Sequence, residues 1–170
     1  MASIIKSNTY ADFNGREILT ANNDGILTTQ KINQPFFSTT LSSNQTVSTG
    51  TWTKMNFDSE IVDTNNAFNT TDKQFVVPAN CQGKYLIFSM LYRNFSTNGT
   101  NIRAAITKND SRVINSIFTD GQGIANSAIV SAVMDLAVGD TIHIETFHDR
   151  GSNETYATDH NQFYGFRIGS

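Results

Sequence analysis

Cysteine, proline and charge are all scarce in this chain, and each scarcity removes a class of protein. Cys81 is the only cysteine among 170 residues, so neither a disulfide within the chain nor a zinc cluster can form. Charged residues make up 16% of the sequence and the formal net charge is -3. No basic stripe marks a nucleic-acid partner. No apolar run approaches the roughly 18 residues that cross a membrane as a helix. Residues 1–8, Met1-Ala2-Ser3-Ile4-Ile5-Lys6-Ser7-Asn8, lack the apolar stretch of a signal peptide. The expectation is a protein made in a cytoplasm, not sent through the general secretory route, and not inserted in a membrane. The six Asn-x-Ser/Thr sequons, at Asn44, Asn69, Asn94, Asn98, Asn109 and Asn153, then reflect composition rather than glycosylation.

What fills the chain instead is Asn, Thr, Ser and Gly, the residues of turns and solvent-facing strands. Twelve phenylalanines against two prolines complete an all-β profile. Residues 1–33 read as a three-stranded meander, with Asn14-Gly15 and Asp24-Gly25 as two-residue turns between strand-like flanks. So small a sheet cannot hold itself together in water. It is therefore either a flexible tail or an arm that docks on something larger, in which case Ile4, Ile5, Tyr10, Phe13, Ile18 and Leu19 are its anchoring side chains.

From residue 36 to 170 the pattern is short strands and turns. Strands are expected over Thr51–Phe57, Lys84–Tyr92, Asn101–Lys108, Arg112–Thr119, Ser127–Leu136, Thr141–His148 and Gln162–Ile168. Asn109-Asp110, Asp120–Gly123 and Gly139-Asp140 are the turns between them, and Asp149–His160 is a polar loop. No window shows a sustained helical period with caps. Eight or more antiparallel strands in this length make a sandwich or barrel, most simply a jelly roll.

Lys84–Tyr92 is unusual because both of its faces are apolar. Tyr85, Ile87 and Leu91 share one parity, while Leu86, Phe88, Met90 and Tyr92 share the other. The last strand repeats the trait, with Tyr164, Phe166 and Ile168 against Phe163 and Gly165. In a sandwich one face meets the core. The second is either enclosed within the subunit's own core or covered from outside, and another copy of the chain covers it most economically. The candidate self-association residues are Tyr85, Ile87, Phe88, Met90, Tyr92, Phe163, Tyr164 and Phe166.

Several motifs carry a family pattern. Ala67-Phe68, Phe75-Val76-Val77-Pro78 and Gly83-Lys84-Tyr85-Leu86-Ile87-Phe88 place an aromatic, a short strand, a Pro-to-Gly turn and an aromatic-rich strand in order. Val133-Met134-Asp135-Leu136 runs through Val138-Gly139-Asp140 into Thr141-Ile142, and Phe163-Tyr164-Gly165-Phe166 closes the chain. Together they resemble the complement-q globular head within the tumour necrosis factor-like jelly rolls. The resemblance implies a ten-stranded jelly roll assembled as a bell-shaped homotrimer, its two-faced strands lining the threefold axis. The collagen-like stem of the complement members is missing. The N-terminal segment, Met1 to Thr9 and the turns that follow, is similar to the start of tailed-phage virion structural proteins. That likeness implies a non-enzymatic bacteriophage surface knob, as a capsid decoration or fibre tip, anchored to other virion proteins by residues 1–33. It also implies host attachment through glycans at Asn94, Asn98, Asp149, Asn153, Tyr156 and His160. The alternative is a free-standing bacterial adhesin or lectin-like module.

Catalytic constellations do not assemble. His143 and His148 have opposite parity and cannot share one ion. His143-Ile144-Glu145 lacks the second histidine of a cupin. Glu145, Glu154, Asp149 and Asp159 are acids without a spacing that enforces a glycosidase pair. No Gly-x-Ser-x-Gly elbow or phosphate loop occurs, and Cys81 has no histidine beside it in sequence. No enzyme and no cofactor are expected. Calcium is the one ion retained, with oxygen ligands from Asp58, Glu60 and Asp63 or from residues 149–159.

Overall fold

The computed structural model describes residues 34–93, 101–119 and 126–169, together with the backbone of three short strands before residue 30. The chain forms two compact units, Met1–Asn33 and Gln34–Ser170. In the first, β1 (Thr9–Ala11), β2 (Glu17–Ala21) and β3 (Leu27–Thr29) make an antiparallel meander. Tyr10 pairs with Leu19, and Ala21 with Leu27. The two expected Asn-Gly and Asp-Gly turns, and Ile4, Ile5 and Phe13, lie outside the described residues.

The second unit is an antiparallel jelly-roll sandwich, with no helix among the described residues. Its strands are β4 (Phe36–Leu41), β5 (Gln45–Val47), β6 (Thr53–Lys54), β7 (Phe57–Asp63), β8 (Phe68–Asn69), β9 (Gln74–Val76) and β10 (Gly83–Arg93). They continue as β11 (Asn101–Lys108), β12 (Ser111–Thr119), β13 (Asn126–Leu136), β14 (Thr141–His148), β15 (Glu154–Tyr156) and β16 (Gln162–Gly169). One sheet runs β13-β10-β16-β4-β7. The other runs β12-β11-β14-β9-β8, with β6 added on β14. A ribbon of β15 and β5 stands apart from both.

Local chemistry explains the connections. The β11–β12 hairpin turns on Asn109 and Asp110, both at positive φ (48° and 61°), the backbone of a two-residue primed turn that Asn and Asp tolerate. Gly139 (φ 83°) turns β13 into β14, and its N–H donates to Val77 O. At β16, Gly165 sits between Ile87 of β10 and Phe37 of β4. A methyl group there would come within 2.8 Å of Ile87 Cδ1, 2.9 Å of Phe37 Cε1 and 3.1 Å of Leu86 O.

Phenylalanine fills the space between the sheets. Phe37 stacks on Phe75 with centroids 4.7 Å apart and meets Phe163 edge-on at 4.9 Å. Phe57 and Phe68 pack on the same Phe163 ring. Tyr85 is buried with them, its hydroxyl donating to Cys81 O at 2.5 Å, and burial pushes its pKa up to about 12.

Two expected segments differ in the structure. Thr51–Phe57 is not one strand, because the chain changes sheets within it. β6 belongs to one sheet and β7 to the other, and buried Gln45 bridges the crossing by donating to Lys54 O and accepting from Asn56 N. Met55 and Phe57 point into the core, whereas Trp52 lies half-buried against Phe147. The polar stretch 149–160 likewise contains β15, which inserts Glu154 and Tyr156 into the interior.

Candidate self-association face and loop pole

Alternation along β10 assigns its two faces. Tyr85, Ile87, Ser89, Leu91 and Arg93 are buried, while Leu86, Phe88, Met90 and Tyr92 are half-buried. The second set faces away from the core, and the register extends it across the sheet. One rank holds Val133, Leu86, Phe166 and Phe36. The next holds Ser131, Phe88, Tyr164, Ser38 and Val62. A third holds Ile129, Met90, Gln162 and Thr40. Val133 and Ile129 are 59% and 49% exposed. Phe88 stacks on Tyr164 at 4.7 Å, and Phe36 meets Phe166 edge-on at 6.4 Å. The Lys84–Asp135 pair, 3.3 Å apart, borders this face at one end.

A second apolar surface lies on β12, an edge strand. Val113, Ile114, Ile117 and Phe118 are all exposed. Phe118 and Ile114 pair with core residues Ile102 and Ile106, so they share the core-facing side of their sheet and still reach solvent at its edge. An edge strand this apolar invites a partner.

The structure corrects the self-association set. Tyr85, Ile87 and Phe163 are fully buried in the subunit's own core, so no second copy can touch them without opening the sandwich. Phe88, Met90, Tyr92, Tyr164 and Phe166 lie on the outward face. Leu86, Ile129, Val133 and Phe36 join them there, as the parity of Phe88 already implied for Leu86. In the N-terminal unit, Tyr10, Ile18 and Leu19 fall within strands.

At the other end of this face, beyond Tyr92, the strands lead into a pole of loops. Asn161 organises it from a fully buried position. Its carboxamide accepts from Tyr92 N and donates to Tyr92 O and Ala157 O, clamping the 157–161 segment to the end of β10. This presents His160 (φ 67°) edge-on to the Tyr92 ring at 5.0 Å, with Asp159 3.1 Å away. Asp149 accepts from Asn101 N at 2.7 Å. Burial raises its pKa, but the hydrogen bonds from Asn101 outweigh this and hold it below the usual carboxylate range. Asn153 is exposed. Asn94 and Asn98 lie outside the described residues. Tyr156 is corrected: it is a buried core residue bonded through its hydroxyl to Thr146 Oγ1 at 2.9 Å, not a surface contact.

Beneath this pole the Arg93 guanidinium donates to the Glu154 carboxylate, with both side chains fully buried. Arg150 adds a contact to Glu154 at 3.5 Å. The other acids weighed for catalysis or calcium are similarly engaged, except Glu60. Glu145 pairs with Arg112 at 2.8 Å. Asp58 accepts from Ser42 N, and Asp63 from Phe68 N. His143 faces away from the core and His148 into it, where its Nε2 lies 3.1 Å from Val47 O. Among the described residues, no group of three or more His, Cys, Asp or Glu side chains is arranged to hold a metal.

The sequence profile of the C1q domain matches residues 36–168. The chain belongs to the C1q domain family. Solved structures share its fold at low identity. The globular domain of zebrafish complement 1qA protein is 20% identical, with a TM-score of 0.59, covering 80% of this chain and 98% of its own. Murine APRIL at pH 5.0 is 11% identical, with a TM-score of 0.62, covering 80% and 100%. Eiger TNF from S. frugiperda is 12% identical, with a TM-score of 0.54, covering 81% and 92%. No curated protein matches the sequence. C1q and TNF-like domains are generally non-enzymatic binding modules and are commonly homotrimeric.

Proposed function

We propose that this C1q domain is a homotrimeric surface knob of a tailed-phage virion, anchored by residues 1–33 and free of catalytic activity. The observation that carries the trimer is the apolar outer face of the β13-β10-β16-β4-β7 sheet. It differs from the apolar β12 edge, so packing one on the other is a head-to-tail contact. Such contacts build rings when the rotation closes, and open filaments when it does not, rather than two-fold pairs; the closed ring of three is the state common in this family. Phe88, Tyr164 and Phe166 occupy the middle of that contact, and Ile117 and Phe118 reach it from the neighbour.

The virion setting rests on the N-terminal unit. A three-stranded meander of this size needs a partner surface to be stable, and its first residues resemble those of phage structural proteins. Strand addition to another virion protein would supply the partner. The second unit begins at Phe36, which pairs with Phe166, at the end of the sheet remote from Tyr92. In this reading the loop pole, with Asp149, Asn153 and His160, is the part of the C1q unit that meets host glycans.

Two measurements test this. Sedimentation equilibrium of the purified chain should give three times the monomer mass. Deleting residues 1–33 should leave that mass ratio intact and abolish incorporation into phage particles. A monomer at micromolar concentration would remove the trimer, and unchanged incorporation would remove the anchor.

A further inference from the structure

On the side of the sandwich away from β12, the edges of the two sheets part to form a groove of about 480 Å³. Its wall on one sheet is Glu60 of β7. On the other it is Asn66, Ala67, Phe68, Asn69 and Thr70, with Val76 and Pro78 behind. The volume falls within the range of ordinary small-molecule sites, roughly 300–1,000 Å³.

The polar groups around it differ in availability. Asn69 is spent on its own turn, accepting from Thr71 N and Asp72 N and donating to Asp72. Asp63 caps Phe68 N and Asn65 N. The Lys73 ammonium, the cation of the adjoining turn, is held by Thr70 O and Thr71 O. The Glu60 carboxylate, the Asn66 carboxamide and the Thr70 hydroxyl have no such engagement among the described residues. The groove thus offers one uncompensated negative charge and two neutral hydrogen-bonding groups beside an apolar floor of Phe68, Val76 and Pro78.

Both bordering strands end their sheets, which raises strand addition as an alternative. It is disfavoured here. β8 is two residues long, and the β4–β7 register is broken at two places along β7, so neither edge offers the flat ladder a peptide needs.

We propose that the groove binds an amino sugar. The ammonium is received by Glu60, the ring hydroxyls by Asn66 and Thr70, and the apolar face of the pyranose rests on Pro78 and Val76. Charge sets the selectivity: a protonated glucosamine gains a charge-assisted bond that glucose and N-acetylglucosamine cannot make. Groove binding and particle assembly are separable, since one is read as sugar affinity and the other as oligomer mass and incorporation.

The test is titration of the full chain, at mildly acidic pH, with glucosamine, N-acetylglucosamine and glucose, followed by calorimetry or saturation-transfer NMR. Glucosamine should bind best, and E60Q should weaken it about tenfold. T70V should weaken all three sugars by a few-fold without changing their order. Glu60 is exposed, so E60Q keeps the fold. Failure of glucosamine to bind at millimolar concentration, or E60Q binding it as well as the parent, overturns the site. Preference for N-acetylglucosamine overturns the role of charge. Loss of binding in D159N but not E60Q moves the site to the loop pole and overturns the groove.

Discussion

Phe88 and Tyr164 stack with ring centroids 4.7 Å apart and planes 20° from parallel, on the face of the five-stranded sheet turned away from the core. The pair belongs to two strands whose opposite parity is already buried. Its apolar area is therefore additional to what the subunit's fold requires.

Replacing Phe88 or Phe166 with Asp should convert the proposed trimer to a monomer that remains folded. Neither side chain reaches the core, so the domain survives, whereas an uncompensated charge buried between subunits costs several kcal/mol. Light scattering gives the mass and circular dichroism the fold. Ile117→Glu, on the other surface, should weaken association in the same assay. A folded trimer of Phe88→Asp would show that this face is not the contact.

Breaking the buried Arg93–Glu154 pair should be among the most destabilising single changes. Glu154→Gln leaves a guanidinium buried against a neutral amide, a loss of about 3–5 kcal/mol. Replacing both partners together, as Arg93→Met with Glu154→Leu, should recover most of it. Urea denaturation of the parent and the two variants decides; equal losses in single and double variants would refute the pairing.

Gly165→Ala should cost about 1–3 kcal/mol by overpacking, because its new methyl group meets Ile87, Phe37 and the Leu86 carbonyl at once. Ile87→Val in the same chain should relieve part of the loss, since the Ile87 Cδ1 atom is the nearest obstacle. Thermal melts of the single and double variants measure both.

His143 should give stability a slope in mildly acidic solution. Burial, and then the Lys54 ammonium, lower its pKa from the ordinary 6.5. The unfolded chain therefore binds more protons than the folded one just below that pH. Stability is complete above about pH 6.5 and falls as the pH drops toward the lower folded value. Denaturant midpoints at about pH 7.5 and 5.5 should differ more in the parent than in His143→Gln.

The all-β class and most strand limits were legible because turn chemistry is local. Asn109-Asp110 and Gly139-Asp140 announce their turns without reference to the rest of the fold. The orientation of β10 was not legible. Its core-facing parity carries Ser89 and Arg93, which a hydrophobic count would place outside. Both are satisfied from afar, Ser89 Oγ by Gln162 O at 2.8 Å and Arg93 by Glu154, 61 residues away. The outward parity is wholly apolar from Leu86 to Tyr92. Hydrophobicity alone therefore could not say which set faced outward. Asn161, in a stretch rich in Asn and Asp, gave no signal of its clamping role, because that depends on the end of β10 lying beside it. The groove beside Glu60 was equally silent, since its walls come from separate sheets.

The first and last strands of the C1q unit lie side by side, Phe36 against Phe166. A peptide grafted after residue 170 would consequently emerge on the side of the C1q unit where residues 1–33 join it. Cargo meant for display belongs in the 149–153 turn at the far end, where added length meets open solvent.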